Sequence, residues 1–102
     1  FDQQPVEAWS SIAAYWAAYR ATKDQVWVER MERAFQWFLG ENQIGAVLYD
    51  ENTGGCRDGL HFDRVNQNQG AESTLSFLSS LTEWQQINKR QTNQEATIVH
   101  IL

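Results

Sequence analysis

The chain has one cysteine, one proline and no long apolar run. A lone Cys56 excludes an internal disulfide. No apolar stretch approaches the roughly 18 residues that a membrane-spanning helix requires. Positive charge is also scarce. Eight Lys+Arg stand against thirteen Asp+Glu, for a net charge of −5. A nucleic-acid backbone needs clustered basic side chains, so that class of partner is disfavoured, and so is an anionic membrane surface. Glycine is confined to one region, with all six between Gly40 and Gly70. Aromatic residues are plentiful at 13%, five of them Trp, which argues against disorder. With 102 residues the chain makes one domain at most and buries about 60–65% of its unfolded surface. It opens on Phe1 rather than Met, and a piece of a longer protein is expected. A missing targeting signal then carries no weight.

Helical periodicity dominates the first third. Pro5 suits a first helical turn, where its missing N–H has no intrahelical partner. Val6, Trp9, Ile12, Ala13, Trp16 and Tyr19 follow at three- and four-residue steps. A helix over about 5–22 is predicted, then a break at Thr22-Lys23-Asp24, where Thr22 or Asp24 can cap the next helix. Trp27, Val28, Met31, Phe35 and Phe38 predict a second helix over 25–39, stopped by Gly40. The short link folds the two back antiparallel.

A long, ordered, glycine-containing loop over 40–69 follows. It has Ile44, Val47, Leu48, Tyr49, Leu60 and Phe62 as anchors, and consecutive turns at Asp50–Gly55. A third helix is predicted over 70–88, with Leu75, Leu78, Leu81 and Trp84 as its buried stripe. Residues 89–102 are expected to form a polar tail, disordered or extended. The fold class is therefore all-α.

This layout places the beginnings of the first and third helices on one side. Two polar clusters sit there: Asp2-Gln3-Gln4, and Asn66-Gln67-Asn68-Gln69 followed by Gly70-Ala71-Glu72-Ser73. Asp58 lies in the loop between them. Amides both donate and accept hydrogen bonds, which suits a neutral polyhydroxyl ligand. Helix starts add a partly positive field. Each residue also has a plainer reading. Glu72 is a general acid or sugar-hydroxyl acceptor, or simply a first-turn carboxylate favoured by the helix dipole. Asp58 contacts ligand or stabilises its own turn. Asp2 contacts sugar or caps the first helix. Gln3, Gln4, Asn66, Asn68 and Gln69 bind ligand or tie down the loop. Cys56 reads as a small buried thiol. Cys56, His61 and His100 lack zinc spacing. Asp50–Gly55 lacks the closing glutamate of a calcium loop, since His61 stands at the twelfth position. No metal or cofactor is expected. The Trp set reads as core.

Several strings carry a resemblance: Phe1-Asp2-Gln3-Gln4-Pro5, Trp37-Phe38-Leu39-Gly40-Glu41-Asn42, Leu48-Tyr49-Asp50, Thr53-Gly54-Gly55-Cys56-Arg57-Asp58-Gly59-Leu60 and Asn66-Gln67-Asn68-Gln69-Gly70-Ala71-Glu72-Ser73-Thr74. Over roughly residues 1–84 the chain resembles the C-terminal part of an (α/α)-toroid of bacterial carbohydrate-active proteins, often attached to a group 1, mannosyl-type glycosyltransferase. The resemblance implies part of an incomplete toroid, with the first and third helices inner and the second outer. It implies a site at the mouth, with Glu72 and Asp58 as candidate catalytic residues and Asp2, Gln3, Gln4, Asn66, Asn68 and Gln69 as candidate binding residues. The implied partners are a carbohydrate or sugar nucleotide, bound through the parent protein, and the remaining toroid helices, in a cytoplasmic setting. Three helices cannot close a ring, so an exposed apolar flank and self-association are expected, and the fragment alone should be inactive. The alternative is a non-catalytic helical scaffold or protein–protein module.

Overall fold

A computed structural model describes residues 2–101, with side chains described over 3–89. In chain order the elements are β1 (Asp2–Gln3), α1 (Pro5–Thr22), α2 (Val26–Gln36), a 3₁₀ turn at Trp37–Leu39, β2 (Gly59–His61), β3 (Val65–Asn66) and α3 (Ala71–Ile101). The protein is mostly helical, as the periodicity implies.

α1 begins at Pro5 behind a reciprocal cap, in which the Gln4 N–H donates to Glu7 Oε2 at 3.0 Å. It ends where Lys23 turns left-handed (φ 58°) and its N–H reaches the Tyr19 carbonyl at 2.7 Å. Asp24 then opens α2, its Oδ1 accepting from the Val26 N–H at 3.0 Å. α2 tightens into the 3₁₀ turn, and Gly40 (φ 110°) closes it in a conformation that a side chain rarely tolerates. Tyr15 stacks on Trp27 with centroids 6.0 Å apart, and Trp37 donates its indole N–H to Gln3 Oε1 at 3.1 Å. The start of α1 therefore lies beside the end of α2, so the pair is antiparallel.

The core joins Ile12, Trp16 and Tyr19 of α1, Val28, Met31 and Phe35 of α2, and Phe38 to residues from the rest of the chain. Phe35 sits at its centre, with Phe77 at 6.0 Å and Trp84 at 5.7 Å, both from α3. The segment after Gly40 contributes Leu48, Cys56 and Leu60, all fully buried.

Three expectations need correction. The segment over 40–69 is not simply a loop. It contains a small antiparallel sheet in the order β1-β2-β3, with Asp2 opposite His61 and Gly59 opposite Asn66. Ahead of it Tyr49 bridges Cys56, and the Arg57 N–H donates to the Leu48 carbonyl at 2.9 Å. The strands are two or three residues long, too short to leave a clear alternation in the sequence.

The second correction concerns the inner face of α3. Leu75 and Leu78 are exposed, at 62% and 44%, whereas Ser73, Ser76, Phe77, Ser80 and Ile87 are buried. Ser80 Oγ satisfies itself by donating to the Ser76 carbonyl at 2.7 Å, which lets a small polar residue sit against the large rings that α1 and α2 supply. The third is the tail. α3 continues in one helix to Ile101, through a segment free of Gly and Pro and rich in the straight-chain helix formers Gln, Glu, Lys and Arg. No helix among the described residues is long and apolar enough to cross a membrane.

Candidate functional site

The sheet determines what meets what. β1 leads into α1 and pairs with β2, β2 pairs with β3, and β3 leads toward α3. The two helix starts are thereby stitched to one small platform. Between them lies an open recess of about 420 Å³, lined by Gln4, Asp58, Gly59, His61, Asn66 and the Gly70–Ser73 segment. That volume is within the range of about 300–1,000 Å³ usual for small-molecule sites.

Asp58 holds the recess together. Its Oδ1 accepts from the Gly70 N–H at 2.7 Å, and its own N–H donates to the Asn68 carbonyl at 2.8 Å. It thus anchors the first turn of α3 from a different part of the chain. A Cβ on Gly70 would lie 2.9 Å from Asp58 Oδ1, so glycine is needed for that approach. Glu72, in the first turn of the same helix, is exposed and has no side-chain hydrogen bond among the described residues. Ser73 is 8% exposed, lines the recess and likewise has no hydrogen-bond partner there.

Of the residues expected at the site, Gln4, Asp58, Asn66 and Glu72 line this recess. Asn66 also accepts from the Asn68 N–H at 3.1 Å through its side-chain oxygen, a local turn that orients the strand end. Gln3 faces the other way, into the α1–α2 groove, with its oxygen held by Trp37. Gln69 is turned to the Asp50–Gly55 turn. Its Oε1 accepts from Thr53 Oγ1 at 2.7 Å and its Nε2 donates to Asp50 Oδ2 at 2.9 Å. Asn68 is exposed and does not line the recess. The backbone of Asp2 pairs with His61, and its side chain lies outside the described residues, as does that of His100.

Sequence reasoning missed two lining residues. His61 comes into place only through the β1–β2 register, which no local pattern announces. Ser73 sits in a string already marked as polar, but a buried serine at a leucine-rich helix start gives no periodic signal.

Other candidates resolve into structure. Cys56 is fully buried, and burial, reinforced by the nearby Asp58 charge, pushes its thiol up to about 12. Asp50 is held below the usual carboxylate range by the Gln69 amide first, then by the Asn52 N–H, with Arg57 at 3.8 Å adding attraction. Both Asp50 oxygens thus have protein partners. Among the described residues no group of three or more His, Cys, Asp or Glu is placed to hold a metal ion.

A second concavity, about 460 Å³, opens between α1 and α2. Arg30 and Arg33 line it together with Glu7 and Glu41, and Glu29 and Glu32 crowd the far side of Arg33. Its charges are mixed and offer no single ligand chemistry.

No family model matches the chain, and no curated protein matches its sequence.

Proposed function

We propose that this chain contributes a sugar-binding rim to a helical, toroid-like carbohydrate-active protein, with the recess between the starts of α1 and α3 as the contact surface. One observation carries the reading. Ser73, a largely buried residue whose hydroxyl has no hydrogen bond among the described residues, lines an open polar recess together with an unengaged carboxylate, an amide and an imidazole. Such a set offers donors and acceptors at several angles, as a ring of hydroxyls requires. Glu72 is the group best suited to accept from a sugar hydroxyl or to move a proton, because no side chain or backbone group among the described residues engages it. Asp58 supports the reading as a positioning group: with one oxygen committed to Gly70, it shapes the helix start on which Glu72 and Ser73 stand.

The test is a titration of the isotopically labelled chain with neutral mono- and disaccharides, followed by amide NMR. Shifts concentrated at Gly59, His61, Asn66 and Gly70–Ser73 support the proposal. Absence of any shift there, or shifts spread evenly over the surface, overturns it.

The alternative, a helical module that contacts another protein, is favoured by a separate feature. Leu75 and Leu78 expose apolar surface one turn apart on α3. Gel filtration separates the two readings. A concentration-dependent shift that Leu75→Ser with Leu78→Ser abolishes, without affecting sugar titration, assigns self-association to that face and leaves the recess to the ligand.

A further inference from the structure

We infer that a second copy of this chain docks on the outer face of α3, with the two α3 helices antiparallel and Leu75 and Leu78 of each seated against the Thr82 and Gln85 positions of the other. This does not rest on the sugar-binding reading. It names the occupant and the geometry for the apolar surface that Leu75 and Leu78 expose.

Three observations carry it. The first is spacing. Ala71, Leu75, Leu78, Thr82, Gln85 and Lys89 are all exposed and recur at steps of four and three residues, which is the seam along which two helices pair. The opposite side of α3, with Ser76, Phe77, Ser80 and Ile87, is the one buried in the core. The second is the lack of charge. No Asp, Glu, Lys or Arg occurs over residues 73–82, in a chain of which 21% is charged. The net charge of −5 opposes contact between two copies, and this face escapes that repulsion. Thr82 Oγ1 already donates to the Leu78 carbonyl at 2.9 Å, so the hydroxyl brings no unpaired donor into an apolar contact. The third is where the charges stand. Glu72 flanks one end of the seam and Lys89 closes the other, and neither is in an ion pair among the described residues.

Antiparallel pairing uses all three. Ala71, Leu75 and Leu78 fall opposite the partner's Lys89, Gln85 and Thr82, and the two-fold axis repeats each layer. Glu72 then lies beside the partner's Lys89 at both ends, so the second copy brings a cation to the edge of the recess that Glu72 lines. A parallel pair would set Glu72 against Glu72 and Lys89 against Lys89, with the helix dipoles aligned unfavourably.

The experiment is sedimentation equilibrium of the full chain from micromolar to millimolar concentration. A weak monomer–dimer equilibrium is expected, because each copy supplies only two exposed leucines to the seam. Thr82→Leu, at an exposed helical position, should tighten it by about tenfold or more by adding apolar contact with the partner's Leu78. Glu72→Lys and Lys89→Glu should each weaken it by about threefold to tenfold. The two together should restore it, with the net charge of the chain unchanged. A chain that stays monomeric at millimolar concentration overturns the inference. A dimer that Thr82→Leu does not tighten uses another face, and a charge swap that fails to rescue excludes the antiparallel arrangement; either result overturns it too. None of these outcomes decides the sugar titration, which stands or falls separately.

Discussion

The turn at Asp50–Gly55 and the recess at the start of α3 are built from the same kinds of side chain and end in opposite states. In the turn, the polar groups are used internally. Asp50, Thr53 and Gln69 bond one another, and Arg57 binds Gln67 Oε1 at 2.7 Å and reaches the Val47 and Leu48 carbonyls. In the recess Glu72 and Ser73 stay unpaired among the described residues. A side chain in the turn finds partners because the turn folds back on itself and brings Gln69 against Gly55, where a Cβ would collide with the Gln69 amide. At the α3 start the chain runs straight into a helix, and side chains of the first turn project away from their own backbone. Amide-rich composition is thus no guide to ligand contact. The local geometry decides whether a polar group is satisfied by the protein or left for something else.

The largest effect should come from cutting the link that seats the turn region on α3. Tyr49 stacks on Phe77 with centroids 4.5 Å apart, and Phe77 also meets Phe35 and Phe38. Phe77→Ala should cost about 3–5 kcal/mol in urea unfolding, with early loss of hydrogen-exchange protection at Leu48 and Arg57. A loss below about 1 kcal/mol would show that the turn region holds without α3. Asp58→Ala comes next, at about 1–2 kcal/mol, because the Gly70 N–H loses its acceptor. Asp58→Asn keeps an oxygen there and should recover most of that loss. Equal losses for both variants would mean that charge, not the hydrogen bond, holds the helix start.

The smallest effects are pH dependences, and they run in opposite directions. Asp50 has a folded-state pKa below its ordinary 3.8. The unfolded chain therefore takes up the proton first. The contribution of ionised Asp50 is complete above the ordinary value and disappears as pH falls through the depressed one. Glu83 on α3 is raised above its ordinary 4.5 by burial, partly offset by Arg20, and its Oε2 is buried without a partner. There the folded state holds the proton more tightly, so stability declines as pH rises from the ordinary value through the raised one. Asp50→Asn should flatten the acid limb of the stability–pH curve, and Glu83→Gln the limb above it. A curve unchanged by either variant would sink both assignments.

Much of the helical framework is legible residue by residue. Pro5 marks the start of α1, and Gly40 ends the second helical unit after its 3₁₀ turn, because each has a backbone property that only one structural position uses well. The core side chains at Trp16, Met31, Phe35 and Phe38 follow helical spacing and are buried as expected. The apolar stripe of α3 misleads for a physical reason. Leucine is the better core former in isolation, but this interface already holds several aromatic rings, and small serines, one of which (Ser80) bonds back along the helix, fit the remaining space. Of the candidate site residues, Gln4, Asp58, Asn66 and Glu72 come together around one recess. Gln3 and Gln69 turn away from it, because a long amide side chain goes to whichever partner lies within reach, and those partners, Trp37 and Asp50, are distant in sequence.

Local sequence by itself determined where the first two helices begin and end and which of their faces is apolar, since periodicity, capping and glycine conformation act over a few neighbouring residues. Tertiary structure alone decided that Asp2, His61 and Asn66 share one sheet, that Asp58 closes the start of α3, and that Ser73 lines the recess. Those outcomes depend on strand pairings between segments some sixty residues apart, whose stability comes from the shared core and not from any preference of the strands themselves.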